Sequence, residues 1–120
     1  MPTMRAQGRG QIINVSSWAG RFDSKAAGPA YMSAKHAVSA MARSLNMEEF
    51  RNGIRATALS PGEVATPIMN KRQVPPGPEQ LERMLQTSDM EEAFAFLVSL
   101  SPRVCVNELV ISPTANSAFK

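Results

Sequence analysis

Tyr31 and Lys35 stand four residues apart, the spacing that puts two side chains one above the other on a helix. Tyr31 is the only tyrosine in the chain. A phenol can give a proton to a carbonyl oxygen that is gaining negative charge, and take one back in the reverse direction. A free phenol, however, titrates near pH ~10. An ammonium one turn away favours the ionised form and eases proton transfer near neutral pH. The pair alone is a weak signal, since Tyr-x-x-x-Lys arises by chance at roughly one tyrosine in fifteen for a lysine usage of about 6 %. Its meaning depends on the elements around it.

The helix that would carry the pair is strongly written. Pro29 suits a first helical position, where a missing N–H costs nothing. Ala34, Ala37, Val38, Met41, Ala42 and Leu45 recur at three- and four-residue spacing, and Asn52-Gly53 supplies a stop, so a helix is expected over about 29–51. Ala30, Ser33, Ala37 and Ala40 keep much of its surface narrow, open to close approach by a neighbour. Before it, "QIINVS" (11–16) reads as a β-branched strand introduced by Gly8 and Gly10, with apolar residues on both faces. After it, "IRATALS" (54–60) reads as a second strand. The loop containing "VPPGP" leads to a short helix, "PEQLERML", with Leu81, Met84 and Leu85 on one face. Ser88 and Glu91 suggest a capping box for a further helix with a Met90, Ala93, Phe94, Leu97, Leu100 stripe. Pro102 ends it, and "ELVIS" (108–112) is the last strand. Strands separated by helical crossovers favour an α/β fold with a parallel sheet open to cover on both faces.

Composition excludes several classes. The chain has 120 residues, 43 % hydrophobic and 19 % charged, with a net charge of +3. That is ordinary for one globular domain. Arg5, Arg9, Arg21, Lys25, Lys71 and Arg72 are scattered rather than clustered with aromatics, which argues against nucleic acid as a partner. A single cysteine, Cys105, and a single histidine, His36, make neither an internal disulfide nor a cluster of metal ligands, so no metal is expected. No apolar run approaches the ~20 residues of a membrane span, and the N-terminus lacks a secretory apolar core. The cytoplasm is the expected setting and no membrane partner is expected.

The strings "IINVSSWAG", Tyr31-Met32-Ser33-Ala34-Lys35 and "IRATALSPGEVATP", in this order, resemble the C-terminal half of the short-chain dehydrogenase/reductases. "VNELVISPT" is similar to the ending of members that act on small hydroxy acids or simple alcohols. The resemblance implies a Rossmann-like doubly wound parallel sheet, of which this chain holds about three strands with intervening helices. It implies Ser17, Tyr31 and Lys35 as catalytic residues: Ser17 holds the substrate oxygen, Tyr31 moves the proton, and Lys35 assists it. It also implies that Tyr31, Lys35, Pro61, Gly62 and Thr66 touch the cofactor, NAD or NADP, with Lys35 on the nicotinamide ribose and Thr66 on the carboxamide. Trp18 either borders a substrate or is a packed indole. Glu63 is not expected to be catalytic, and His36 is expected at the surface.

The family's glycine-rich strand–helix turn is not found here. "GRGQII" has its glycines ahead of a strand rather than behind one. The family's Asn-Asn-Ala-Gly strand end and its catalytic asparagine are also missing. The expectation is one partial domain over 1–120, with a lid-like segment at about 62–86 over the substrate. It would be a fragment of an NAD(P)-dependent oxidoreductase interconverting a secondary alcohol or hydroxy acid and its carbonyl. The isolated chain is then expected to be inactive and not to bind nicotinamide. The first strand's free edge and the helix over 29–51 make two partners reasonable: another copy of the chain, or a complementing N-terminal half. The alternative is a non-catalytic protein that works by associating with a full-length relative.

Overall fold

The computed structural model describes residues 1–119. The elements are α1 (Pro2–Gln7), β1 (Gly10–Val15), α2 (Gly28–Glu49), β2 (Ile54–Pro61), α3 (Pro78–Arg83), α4 (Thr87–Ser99) and β3 (Glu108–Ile111), with short 3₁₀ turns between them. The three strands form one parallel sheet in the order β1-β2-β3. Gly10 pairs with Ile54 and Val15 with Leu59, and Ala58 to Pro61 pair with Glu108 to Ile111.

Successive side chains of a strand face opposite ways, and the two faces of this sheet are covered differently. Ala56 and Ala58 meet Ala42 of α2, with Ile12 and Leu45 packed beside them. Small residues on both elements let helix and sheet close up here. On the other face, Gln11 donates to the Leu97 carbonyl at 2.9 Å. Arg55 donates to the carbonyls of Ser101 (2.7 Å), Leu100 (3.2 Å) and Val104 (3.1 Å). The Leu97 and Leu100 carbonyls belong to the end of α4, which leaves them without helical partners, and the guanidinium also ties down the loop that follows. The result is a helix–sheet–helix sandwich, the Rossmann-like α/β arrangement expected.

The inward face of α2 differs from the apolar stripe expected. Ala34, Ala37 and Met41 are exposed, while Lys35, Ser39, Ala42, Asn46 and Glu49 turn inward. Each polar member of this seam has a backbone or charged partner. The Asn46 carboxamide accepts from the Ala56 N–H at 2.6 Å and donates to the Ala56 carbonyl at 2.7 Å. It completes β2 at a point before β3 begins. Periodicity scores apolar residues and is blind to a seam of this kind.

Two glycines in left-handed conformation, Gly8 (φ 63°) and Gly53 (φ 66°), end α1 and the turn after α2, and each leads into a strand. A Cβ on Gly53 would lie 2.2 Å from the Gly8 carbonyl oxygen, so the two turns are stacked in contact. Beside them, Arg5 of α1 forks onto the carboxylate of Glu49, which also accepts from Asn52 at 2.8 Å. Asp89 caps α4 by accepting from the Gln86 N–H at 2.7 Å. The expected Ser88–Glu91 box is therefore corrected. The helix starts at Thr87, which places Ser88 inside it and leaves Asp89 to reach back. Among the described residues no helix is long and apolar enough to cross a membrane, and none of their acid, histidine or cysteine side chains gather into a metal-binding group.

Candidate active site

β1 runs out at Val15, and the next two residues divide the work of leaving the sheet. Ser16 continues the ladder, its N–H donating to the Leu59 carbonyl at 2.7 Å. Its side chain is buried at 3 % exposure. The Ser16 hydroxyl donates to the carbonyl of Lys35 at 2.8 Å and lies 2.9 Å from the Ser39 hydroxyl. Ser39, 1 % exposed, also approaches the Lys35 carbonyl at 3.3 Å. Each hydroxyl has one proton to give, so Ser16 donates to the carbonyl and Ser39 donates to Ser16 or to the same carbonyl.

Ser17 is extended and starts the 3₁₀ turn Trp18–Gly20, its hydroxyl oxygen accepting from the Ala19 N–H at 3.2 Å. Gly20 makes the docking of this turn possible. A Cβ there would fall 2.2 Å from the Ser16 hydroxyl oxygen and 2.7 Å from the Lys35 carbonyl oxygen. The turn that carries Ser17 therefore rests on the helical turn that carries Lys35.

On α2, Tyr31 is 47 % exposed. The Lys35 ammonium donates to the Val15 carbonyl at 3.1 Å and sits 5.7 Å from the centroid of the Tyr31 ring. A carbonyl that has just left the sheet thus orients the ammonium against the phenol. Tyr31, Lys35 and the Ser17 turn gather at the carboxyl ends of β1 and β2, where open α/β sheets receive ligands.

Pro61 and Gly62 end β2 at the same edge. The Gly62 N–H donates to the Ile111 carbonyl at 2.7 Å, and a Cβ at 62 would lie 3.1–3.2 Å from Pro113 and Ser112. Thr66 precedes the 3₁₀ turn Pro67–Lys71 without a side-chain capping bond, which leaves its hydroxyl uncommitted to the turn. Glu63 binds Arg72 at 2.7 Å and accepts from Ser117 at 3.1 Å, tying the loop to the C-terminal segment. These partners give it a structural role in holding the loop. The segment that follows is closed at its base by a parallel bridge, Val64 with Leu85.

Trp18 packs on Phe22 (4.4 Å between centroids) and edge-on to Phe119 (5.5 Å), which matches the packed-indole alternative. His36 is exposed, as expected, and contacts the Met32 carbonyl in its own helix at 2.9 Å. The displaced titrations lie at the far end of α2. The Arg5 guanidinium, helped by Asn52, holds the Glu49 carboxyl down to about 2, and the same bond raises Arg5. Sequence reasoning missed Ser16, Ser39, Gly20 and the Val15 carbonyl, which position the expected residues. Ser39 carried one available signal, lying four residues after Lys35 on the same helix face.

Residues 1–76 match the short chain dehydrogenase family. The chain is 30 % identical to L-fucose dehydrogenase of Bos taurus over 99 % of its own length and 47 % of that protein. Among solved structures it is similar to a closed form of serine dehydrogenase complexed with NADP+ (TM-score 0.82, 26 % identity, 98 % of this chain and 49 % of that one). It is also similar to an oxidoreductase of the short-chain family from Burkholderia thailandensis (TM-score 0.80, 32 % identity, 98 % of this chain and 50 % of that one). The chain spans about half the length of these relatives. A family match over well more than half of its residues, on a sheet that follows solved members closely, establishes that this chain belongs to the short chain dehydrogenase family.

Proposed function

We propose that the chain is the catalytic half of a nicotinamide-dependent oxidoreductase that interconverts a secondary alcohol or hydroxy acid and its carbonyl. The observation that carries this reading is the Lys35 ammonium, fixed by the Val15 carbonyl against the ring of the single tyrosine. In carbonyl reduction the Tyr31 hydroxyl gives its proton to the substrate oxygen, and the Lys35 ammonium offsets the charge left behind. In alcohol oxidation the proton returns to Tyr31. The Ser17 hydroxyl accepts from Ala19 and keeps its own proton free, so it can donate to the substrate oxygen.

The residues present fit one end of NAD or NADP. An ammonium and a phenol suit a ribose diol, the uncommitted Thr66 hydroxyl suits a carboxamide, and Pro61-Gly62 offers backbone at close range. The bound cofactor supplies the hydride. The pyrophosphate needs the glycine-rich turn, which these 120 residues do not contain. This reading takes the chain as one partial Rossmann-like domain with 62–86 as a lid, and the Val64–Leu85 bridge at the base of that segment supports it. A cytoplasmic setting belongs to the same reading, with Cys105 a free thiol.

A second reading rests on a different observation: β1 pairs with β2 on one side and with no strand on the other among the described residues. An open parallel edge is a template for another chain. The protein would then act by joining a full-length relative, a complementing N-terminal half or a second copy, without catalysing a reaction itself. Co-expression with the N-terminal half of the bovine L-fucose dehydrogenase separates the two. The first reading expects a complex that reduces NAD+ or NADP+ with a member of a panel of secondary alcohols and hydroxy acids, while neither half does so alone. A stable complex that turns over none of the panel would remove the first reading and leave the second.

A further inference from the structure

Asn52 and Gly53 form the dipeptide in which a backbone nitrogen most easily attacks the preceding carboxamide, because glycine has no side chain to shield it. Both residues are required where they are. Gly53 is left-handed, and the Gly8 carbonyl occupies the place of a Cβ. The Asn52 amide nitrogen donates to Glu49 at 2.8 Å, and Glu49, 2 % exposed, holds the Arg5 guanidinium with its two oxygens. The Gly53 N–H, which would be the attacking group, is itself engaged with the Phe50 carbonyl at 3.2 Å. The labile pair is therefore clamped at both reacting groups.

We propose that Asn52 is a site of spontaneous deamidation, gated by the Arg5–Glu49–Asn52 clamp, and that its conversion detaches α1. When the clamp opens, the Gly53 nitrogen bonds to the Asn52 side-chain carbon. The bond from that carbon to its amide nitrogen breaks, and ammonia leaves carrying the proton from Gly53. Water then opens the cyclic imide at either carbonyl, giving aspartate or isoaspartate. The product cannot rebuild the clamp. A donor to Glu49 has become a second carboxylate beside a buried one, and like charges at that distance repel strongly in a poorly solvated site. Arg5 is then shared between two acids, and α1 loses the side-chain contact that holds it to the end of α2.

The test needs only the purified chain. It is kept warm near neutral pH for weeks, then digested and weighed for the one-dalton gain in the peptide that contains Asn52. The folded chain is expected to convert severalfold more slowly than the same chain in urea. Arg5→Ala and the gentler Arg5→Lys, both checked for fold by circular dichroism, are expected to convert severalfold faster than the parent. Asn52→Asp is expected to speed amide exchange in α1 at least tenfold while β2 keeps its protection. The proposal is overturned if the folded parent converts as fast as the unfolded chain. It is equally overturned if both folded Arg5 variants convert no faster than the parent, or if Asn52→Asp leaves exchange in α1 unchanged.

Discussion

The two ends of the sheet are built on opposite plans. At the amino end, Gly8 and Gly53 stack, Arg5 and Asn52 both donate to the Glu49 carboxylate, and Arg55 donates to the Leu100 carbonyl at the end of α4. At the carboxyl end, polar groups are left with capacity to spare. Tyr31 is half-exposed and the Thr66 hydroxyl caps nothing. Two buried atoms near that end, the Asn14 amide nitrogen and the Ser60 hydroxyl, have no hydrogen-bond partner among the described residues. Buried polar groups are nearly always paired, so such exceptions mark a place where the structure accepts a cost. The contrast teaches that one end holds the fold while the other leaves polar groups uncommitted, which is what the proposed site requires.

Five changes would break or sharpen that contrast. The largest effect is expected from Tyr31→Phe in the complemented enzyme. Turnover should fall by about 10²–10⁴-fold, the usual range for a lost proton-transfer group. The melting curve should not move, and retained turnover would remove Tyr31 from the chemistry. At the other end the loss should be in stability. Gly53→Ala combines a left-handed backbone with a blocked Cβ and should cost about 2–5 kcal/mol in urea unfolding. Gly8→Ala, whose Cβ would meet nothing within 4 Å, should cost only about 1–2 kcal/mol, from backbone conformation alone. Equal losses at the two glycines would mean that the stacking of the turns contributes nothing.

Ser39→Ala should be milder, about 1 kcal/mol, because Ser16 still donates to the Lys35 carbonyl. Finally, acid should act through the amino end. The Glu49 carboxyl titrates at about 2 in the folded chain, below its ordinary 4.5, so the folded state binds fewer protons than the unfolded one between those values. Its contribution is complete above pH 4.5 and fades as pH falls towards 2. Urea melts through that window should show a shallower decline for Arg5→Ala than for the parent. Parallel declines would show that the Arg5–Glu49 pair does not carry the acid response.

Much of this architecture was legible in the sequence. The β-branched runs became β1 and β2 within a residue or so of the expected limits, and Asn52-Gly53 stopped the second helix where glycine can turn left-handed. Tyr31 and Lys35 were brought together because helical spacing is a local property. What stayed hidden depends on partners distant in sequence. Ser16 and Ser39 look like ordinary small residues until the sheet end and α2 meet. Gly20 looks like a loop glycine until the Lys35 carbonyl arrives where its side chain would be. Asn46 looks like a surface residue until β2 is found to have no β3 partner at Ala56. Sequence patterns report which side chains avoid water. They do not report which polar side chains find a distant carbonyl.

The bridge between Val64 and Leu85 has a consequence for how such a protein can change. Two bonds, from the Ala65 N–H to the Leu85 carbonyl (2.8 Å) and from the Leu85 N–H to the Glu63 carbonyl (3.0 Å), fix both ends of the stretch between them. Closing a loop grows costlier only with the logarithm of its length, at about 0.6 kcal/mol per doubling. Residues inside, among them the solvent-facing Ile68 and Val74, can be rewritten, shortened or extended while the strands outside the staple keep their register. A lineage could thus refit this loop many times over one unchanged scaffold.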